Sequence, residues 1–342
     1  MLSGFYCSRS RTILCLLLLF ITHNYSYGQQ KKHNITFAPD LLKGSREQLS
    51  STASTGTIHI VAVMVDFQAD NTRFTSGNGK FGTSIKDTTQ SGYFNPKNIT
   101  IDPLPHDRNY FLAHLKFAKN YFDEVSNGKL TIDYRLLPKV YHLNNKMATY
   151  SPLGETDAEN YKLADLVRDT WQAVNQEGGF DTSGLQENNT VFVIFHAGTG
   201  REFDFTGTSL DHTPEDIPSL FLSQKSLGSL LKQPGFKGFP IGSSSLNVTN
   251  SIIMPETESH LGTDVSGSRY ILQFSMNGLL CATIGSYLGL PDLYNTNTGA
   301  SGIGRFGLMD PESFFAYQGL FPPEPSAWEK YFWAGKPLSI SH

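Results

Sequence analysis

Cysteine is scarce in this chain of 342 residues, which has only three, and two of them, Cys7 and Cys15, lie near the N-terminus. If the first 28 residues are removed on export, Cys281 is the single remaining thiol, so an internal disulfide is excluded. The chain also lacks an excess of positive charge: 27 basic and 31 acidic residues give a formal net charge of −4. Without a basic field to attract phosphates, nucleic acid is not an expected partner.

The N-terminus has the pattern of a secretory signal peptide. Arg9 and Arg11 precede an apolar run from Ile13 to Ile21, and the small residues Ser26 and Gly28 follow at the spacing of a cleavage site. A membrane-spanning helix needs roughly 20 apolar residues, about twice the length of this run. We therefore expect a protein that is secreted to an extracellular or periplasmic location and has no membrane span after signal removal.

Apolar patterns predict helices that alternate with buried strands. The run Ile58–Phe67 is β-branched and almost entirely apolar, as in a strand buried on both faces. Apolar residues recur at helical spacing over Asp107–Val125 and Ala158–Val174. The other predicted strands are Lys129–Leu137, Thr190–His196, Ser219–Leu222 and Ser251–Pro255. This order of elements favours an α/β or α+β sheet domain.

A glycine-rich loop, Gly77–Gly82, fits the dinucleotide-binding spelling G-x-G-x-x-G. A phosphate-binding loop joins a strand directly to a helix N-terminus. Here the preceding strand ends well before the loop, and no helical period follows it. We therefore expect the loop to bind no nucleotide.

Glu256, Glu258 and His260 alternate along the chain and would share one face of a strand. This spacing permits a metal site, but a solvated loop edge is the favoured interpretation because such side chains are usually exposed.

His196, Glu202 and Asp204 form a second polar group at the end of a buried strand, where functional sites often lie. The favoured interpretation is that His196 makes a local hydrogen bond there.

One further segment contains the sequence Leu-Gly-Leu-Pro-Asp-Leu-Tyr and resembles the immune inhibitor A family of secreted zinc metallopeptidases. In that family, H-E-x-x-H-x-x-G-x-x-D lies on a helix and its exit. Aligning Gly289 and Asp292 with this motif places Ala282 at the first ligand histidine, Thr283 at the general-base glutamate and Ser286 at the second ligand histidine. Only Asp292, at the third ligand, matches.

Three flanking segments are also similar to this family. Tyr121–Leu130 resembles its Y-F-x-E-V-S-x-G-K-L segment, and Phe306–Asp310 resembles the turn whose methionine, here Met309, lies beneath the zinc. Glu324–Lys330 resembles its closing S-A-W-x-K helix. The resemblance extends over most of the chain from Ile58 onward.

The resemblance implies a zincin-like α/β (α+β) fold, with a mixed twisted sheet, a long former active-site helix and a smaller C-terminal subdomain. The expected divisions are a signal peptide at 1–28, a flexible lead-in at 29–56, a metallopeptidase-like domain at 57–335 and an atypical tail at 336–342. The tail departs from the family pattern, which suggests a truncated or frame-shifted end.

The chemistry of the degenerate motif can also be read from its residues alone. Catalytic zinc needs three protein ligands, and two histidines one helical turn apart provide two of them. Ala282 and Ser286 offer a methyl and a hydroxymethyl group instead, so no metal cofactor is expected although the family uses zinc. Cys281 points about 100° away around the helix, and as a small buried hydrophobe it is not a substitute ligand. Glutamate follows histidine nowhere in the chain.

These observations favour a catalytically inactive pseudopeptidase that binds a polypeptide or a cell-surface component. One alternative is an active secreted zinc metallopeptidase with atypical ligands. Another is an interaction or structural domain in which the former cleft has no role. The first alternative is disfavoured because both ligand histidines and the general base are replaced, and each loss alone is severe.

Overall fold

The computed structural model describes residues 55–85, 100–152, 157–202, 207–295, 300–311, 314 and 316–333, all within one compact unit. The predicted signal peptide, almost all of the lead-in and the tail at 336–342 lie outside these residues, as does Asp204. Among the described helices, none combines the length and apolar character needed to cross a membrane.

A mixed five-stranded sheet forms the centre of the fold, in the order β2-β1-β3-β7-β4. The first four strands in this order run parallel, and β4 pairs antiparallel with β7 at the edge. Two short hairpins, β5-β6 and β8-β9, complete the β structure of the described residues. The strands are β1 (Gly56–Asp66), β2 (Leu130–His142), β3 (Thr190–Thr199), β4 (Leu220–Leu222), β5 (Phe239–Pro240), β6 (Asn247–Val248), β7 (Ser251–Thr257), β8 (His260–Thr263) and β9 (Arg269–Leu272).

Five α-helices are present in the described part of the chain: α1 (Arg108–Val125), α2 (Tyr161–Gln176), α3 (Gln224–Leu230), α4 (Asn277–Tyr287) and α5 (Ala327–Trp333). Asp107 caps α1, since its Oδ1 accepts hydrogen bonds from the amides of Asn109 at 2.8 Å and Tyr110 at 3.1 Å. The apolar faces predicted for α1 and α2 are both buried. Helix α4 has 11 residues, so the expectation of a long helix at this position is wrong.

Two apolar layers cover the sheet. Ile60, Ala62 and Met64 of β1 pack in one layer with α1 and α4, whereas Val61 and Val63 pack in the other with α2. This alternation is the consequence of the two-residue period of a strand. It places α4, which contains the degenerate motif, on the opposite face of the sheet from α2.

Candidate functional site

Helix α4 ends in a turn that Gly289 makes possible. The C-cap is Leu288, and Gly289 follows it with φ of 85°. The Gly289 amide donates to the Ser286 carbonyl at 3.0 Å, and the Leu290 amide donates to the Gly285 carbonyl at 2.9 Å. These are the two hydrogen bonds of a Schellman motif, which favours glycine at the left-handed position. The glycine therefore fixes where the chain leaves the helix.

Ala282, Thr283 and Ser286, the three positions of α4 that differ from the family motif, present no metal-binding side chain at the helix surface. Ala282 and Ser286 are half-buried, and Ser286 Oγ donates to the Ala282 carbonyl at 3.3 Å. Thr283 is buried, and its hydroxyl lies 3.0 Å from the carbonyls of both Leu279 and Leu280. Both hydroxyl groups thus bond to their own helix, as serine and threonine often do.

Met309 and the segment after Asp292 pack together against α4. A Cβ atom added at Gly285 would lie 2.7 Å from Met309 Sδ, so the sulfur touches the helix backbone. The Leu293 amide donates to the Met309 carbonyl at 2.8 Å. The structure therefore brings the helix, the Asp292–Leu293 segment and the buried Met309 into one region.

Glu329, which the sequence analysis did not single out, holds this arrangement in place. Its carboxylate is buried and accepts hydrogen bonds from the amide of Met309, at 2.9 Å, and from the amide of Ser326. Ser326 Oγ in turn accepts from the Glu329 amide at 3.2 Å, which makes a capping box at the start of α5. The S-x-x-E spelling in the sequence indicates the capping box, but no local pattern indicates the contact of Glu329 with Met309.

The edge strand β4 lies beside α4. Phe221 of β4 and Tyr287 of α4 meet edge to face, with ring centroids 5.7 Å apart. Leu220 and Phe221 are half-buried, and within the described residues β4 pairs with β7 alone. Strand β4 and helix α4 are therefore in direct contact through these two rings.

This region does not fit a catalytic zinc ion. Asp292 is the single carboxylate at a position that matches a ligand, Ala282 has no donor atom, and the Ser286 hydroxyl bonds to the helix. Three nitrogen, sulfur or carboxylate ligands are the usual requirement. Throughout the residues that the structure places, no group of three or more His, Cys, Asp or Glu side chains is arranged to hold a metal ion.

Cys281 is buried in the apolar layer between α4 and the sheet, in agreement with its predicted role as a small hydrophobe. Burial raises the pKa of its thiol well above the usual value, which disfavours the reactive thiolate.

A buried ionic network lies on the same face of the sheet, near the start of α1. His106 Nδ1 lies 3.0 Å from Glu256 Oε1, and His106 Nε2 lies 3.2 Å from Asp102 Oδ1. All three side chains are almost completely buried. The interpretation of Glu256 as part of a solvated loop edge is therefore wrong, because β7 continues through Thr257 and keeps Glu256 inside the protein.

The same network is completed by neutral hydrogen-bond donors. Asp102 accepts hydrogen bonds from Tyr110 at 2.6 Å and Ser259 at 2.7 Å, and also from the Thr257 hydroxyl. Burial alone would lower the pKa of His106, but Asp102 and Glu256 outweigh it and raise that pKa to about 9. The histidine is therefore a buried cation between two carboxylates at neutral pH.

Glu258 and His260, the other members of the alternating group, are also buried, so the solvated interpretation is wrong for them too. Glu258 lies beside Glu202, whose Oε1 accepts a hydrogen bond from the Ser219 amide at 2.5 Å. Burial and the neighbouring Glu202 raise the pKa of Glu258 well above its usual value.

His196 behaves as the favoured interpretation predicts. It is completely buried, its Nδ1 donates to the Ala197 carbonyl at 2.9 Å, and its ring lies 6.2 Å from that of Phe67. Burial lowers the pKa of His196 to about 4, so the ring is neutral. Glu202, proposed as its partner, bonds instead to Ser219.

The Gly77–Gly82 loop uses its amides within the protein. The Asn78 amide donates to Thr83 Oγ1 at 3.0 Å, and the Gly82 amide donates to Glu256 Oε1 at 2.8 Å. Lys80 Nζ lies 3.0 Å from Asp66 Oδ1. The groups that would bind a phosphate are therefore already engaged.

Comparison with known proteins assigns no function to the chain, so a function has to be argued from the contacts described above. No protein-family model matches the chain, and a search of curated proteins finds no significant match.

Proposed function

We propose that the chain is a secreted, zincin-like pseudopeptidase that captures extended polypeptide segments by strand addition to β4, beside α4. The proposal rests on one observation: β4 is an edge strand of the sheet, and its Phe221 ring packs against Tyr287 of α4. The resemblance of the α4 segment to immune inhibitor A peptidases supports the same view.

Strand addition suits β4 because an edge strand offers main-chain donors and acceptors to an extended chain of any sequence. The half-buried ring of Phe221, which packs on the buried Tyr287, provides an apolar contact for a peptide side chain. Affinity would come from the main chain, and selectivity from this aromatic contact.

Peptide hydrolysis is not part of the proposal. Ala282 and Ser286 stand where the family motif has its two ligand histidines. Thr283, at the general-base position, is buried with its hydroxyl on helix carbonyls. A metallopeptidase needs both the ion and a base within reach of a water molecule.

The test is a titration of the mature chain with fluorescein-labelled casein, an unstructured polypeptide, followed by anisotropy. We expect saturable binding, and Phe221→Ala to weaken it by about tenfold because it removes an aromatic anchor. Tyr161→Ala is the matched control: this exposed ring lies at the start of α2, and its loss should leave binding unchanged.

Two results would overturn the proposal. One is the absence of binding at high micromolar casein. The other is stoichiometric zinc in the purified wild-type chain together with casein cleavage, which would favour an active metallopeptidase with atypical ligands.

A further inference from the structure

Two buried glutamates meet immediately before the edge strand β4. Glu202 is 2% exposed and Glu258 is 0% exposed. Ser219, the residue before β4, donates its amide to Glu202 Oε1 at 2.5 Å, and its hydroxyl lies 3.5 Å from Glu258 Oε1. The main chain that leads into β4 is thus bonded to this carboxyl pair.

The two carboxyl groups share the space above Gly200. A Cβ atom added there would lie 2.1 Å from Glu202 Oε2 and 2.4 Å from Glu258 Oε1, so any side chain at this position would displace the two carboxyl groups. The Oε2 atoms of both glutamates have no hydrogen-bond donor among the described residues. Two ionised carboxylates in such a buried position repel strongly, whereas one proton between them converts repulsion into a hydrogen bond.

The surrounding charges do not remove this repulsion. Asp102 and Tyr110 face Glu258, and Asp102 belongs to the network with His106 and Glu256, which has one more negative than positive charge.

On the opposite side, Arg201 faces Glu202 but is shared with the buried Asp216. Asp216 also accepts hydrogen bonds from Ser76, and burial raises its pKa to about 7. Among the described residues, Arg201 is the cation that faces the pair, and because it is shared with Asp216 it leaves the two glutamates short of positive charge.

We infer that Glu202 and Glu258 hold one proton between them and that this acid pair positions Ser219 and β4 for pairing with a peptide. Loss of the proton separates the two side chains and loosens the entry to β4. Order in β4 and peptide capture therefore decline together as pH rises. The peptide part of this inference rests on the proposed function, whereas the part about strand order does not.

Hydrogen–deuterium exchange of the Ser219–Leu222 amides, corrected for intrinsic exchange, tests the strand-order part. We expect wild-type protection to be at least about tenfold lower at roughly pH 10 than at pH 5, because the protonated fraction of a group falls about tenfold for each pH unit above its pKa. Glu258→Gln keeps a neutral donor for Glu202, so its protection should fall clearly less than in wild type, with only the fall due to Asp216 and His106 remaining. Glu258→Ala should lose protection throughout. Equal pH dependence in wild type and Glu258→Gln, or none in wild type, would overturn the inference.

Two variants separate the acid pair from other effects. Glu124→Gln removes an exposed carboxylate on α1 and should behave as wild type. In Asp216→Asn, the protection of the Ser219–Leu222 amides should still fall as pH rises. The fall should be smaller than in wild type only by the contribution of Asp216. If added calcium chloride restores wild-type protection at high pH but does not affect Glu258→Gln, the pair is a cation site and the shared proton is wrong.

Casein affinity measured over the same pH range tests the peptide part. We expect affinity to decline with pH in wild type and to decline clearly less in Glu258→Gln. Binding that is independent of pH in both proteins would overturn peptide positioning. If casein binds neither protein at any pH, the proposed function fails, and the exchange data alone then decide whether the acid pair orders β4.

Discussion

Two polar regions on the α4 side of the sheet differ in how they are built. On α4, the positions that resemble a zinc site carry a methyl group and two hydroxyls bonded to their own helix. Where β7 ends, Asp102, His106 and Glu256 form a buried ionic network with no local motif. These helix positions of the first region carry no ionisable group, whereas the second region concentrates charge in the interior. A recognisable motif is therefore a poor guide to where the charge of this protein lies.

The largest expected effect comes from breaking the second region. His106→Ala leaves Asp102 and Glu256 buried without their cation, which should lower the free energy of unfolding by about 3–5 kcal/mol. Urea unfolding followed by circular dichroism measures it. His142→Ala is the control, because His142 is exposed beside Asp66 and should cost at most about 1 kcal/mol. Similar small losses in both variants would show that the network does not stabilise the fold.

The pH dependence of unfolding sharpens the same comparison. The pKa of His106 is raised from 6.5 to about 9, so the folded state holds this proton more tightly than the unfolded state. The stabilisation is fully present below pH 6.5 and is lost as pH rises to about 9. The loss is roughly 3 kcal/mol, since each pKa unit corresponds to about 1.4 kcal/mol. His106→Ala should lose this part of the decline and show a shallower slope in this window; an unchanged slope would contradict the assignment.

Restoring ligands to the first region tests whether its backbone is still competent. Ala282→His with Ser286→His places two imidazoles one turn apart, and Asp292 lies at the position that resembles the third ligand, so about one zinc per chain is expected by equilibrium dialysis. Adding Thr283→Glu should lower stability by a further ~1–3 kcal/mol, because Thr283 is buried and its hydroxyl lies 3.7 Å from Met254 Sδ.

The single variant Ala282→His is the control for the zinc experiment and should retain no zinc. Stoichiometric zinc in the wild-type chain would contradict the view that the site has been lost.

The smallest expected effect concerns Cys281. Cys281→Ala removes one buried sulfur atom and should cost about 1 kcal/mol. The native wild-type thiol should react with a thiol reagent only after unfolding, because burial keeps it protonated. Rapid labelling of the native chain would show that α4 opens in solution.

The element boundaries show where local patterns are sufficient and where they are not. The apolar faces of α1 and α2 follow from spacing within each helix and are confirmed. The sequence predicts a strand that ends at Leu137, just before Pro138. In the structure β2 continues to His142, since it is an edge strand and its register with β1 shifts between Leu136 and Val140.

The candidate site divides in the same way. The turn at Gly289 and the loss of donors at Ala282 and Ser286 could be read from one segment. The contact of Glu329 with Met309 joins residues 20 positions apart, and nothing in the local sequence indicates it. The position of β4 at the edge of the sheet follows from the order of the strands, and this order cannot be read from any single segment of the sequence.

The sequence by itself determined the helices with clear apolar faces, the buried strands, the exit turn of α4 and the absence of ligand side chains from its motif. These features depend on residues a few positions apart, so spacing and side-chain chemistry are sufficient. Only the tertiary structure decided that Glu256 and Glu258 are buried. Their partners His106 and Glu202 are distant in sequence, and a carboxyl group enters the interior only where folding brings it a cation, a donor or a proton.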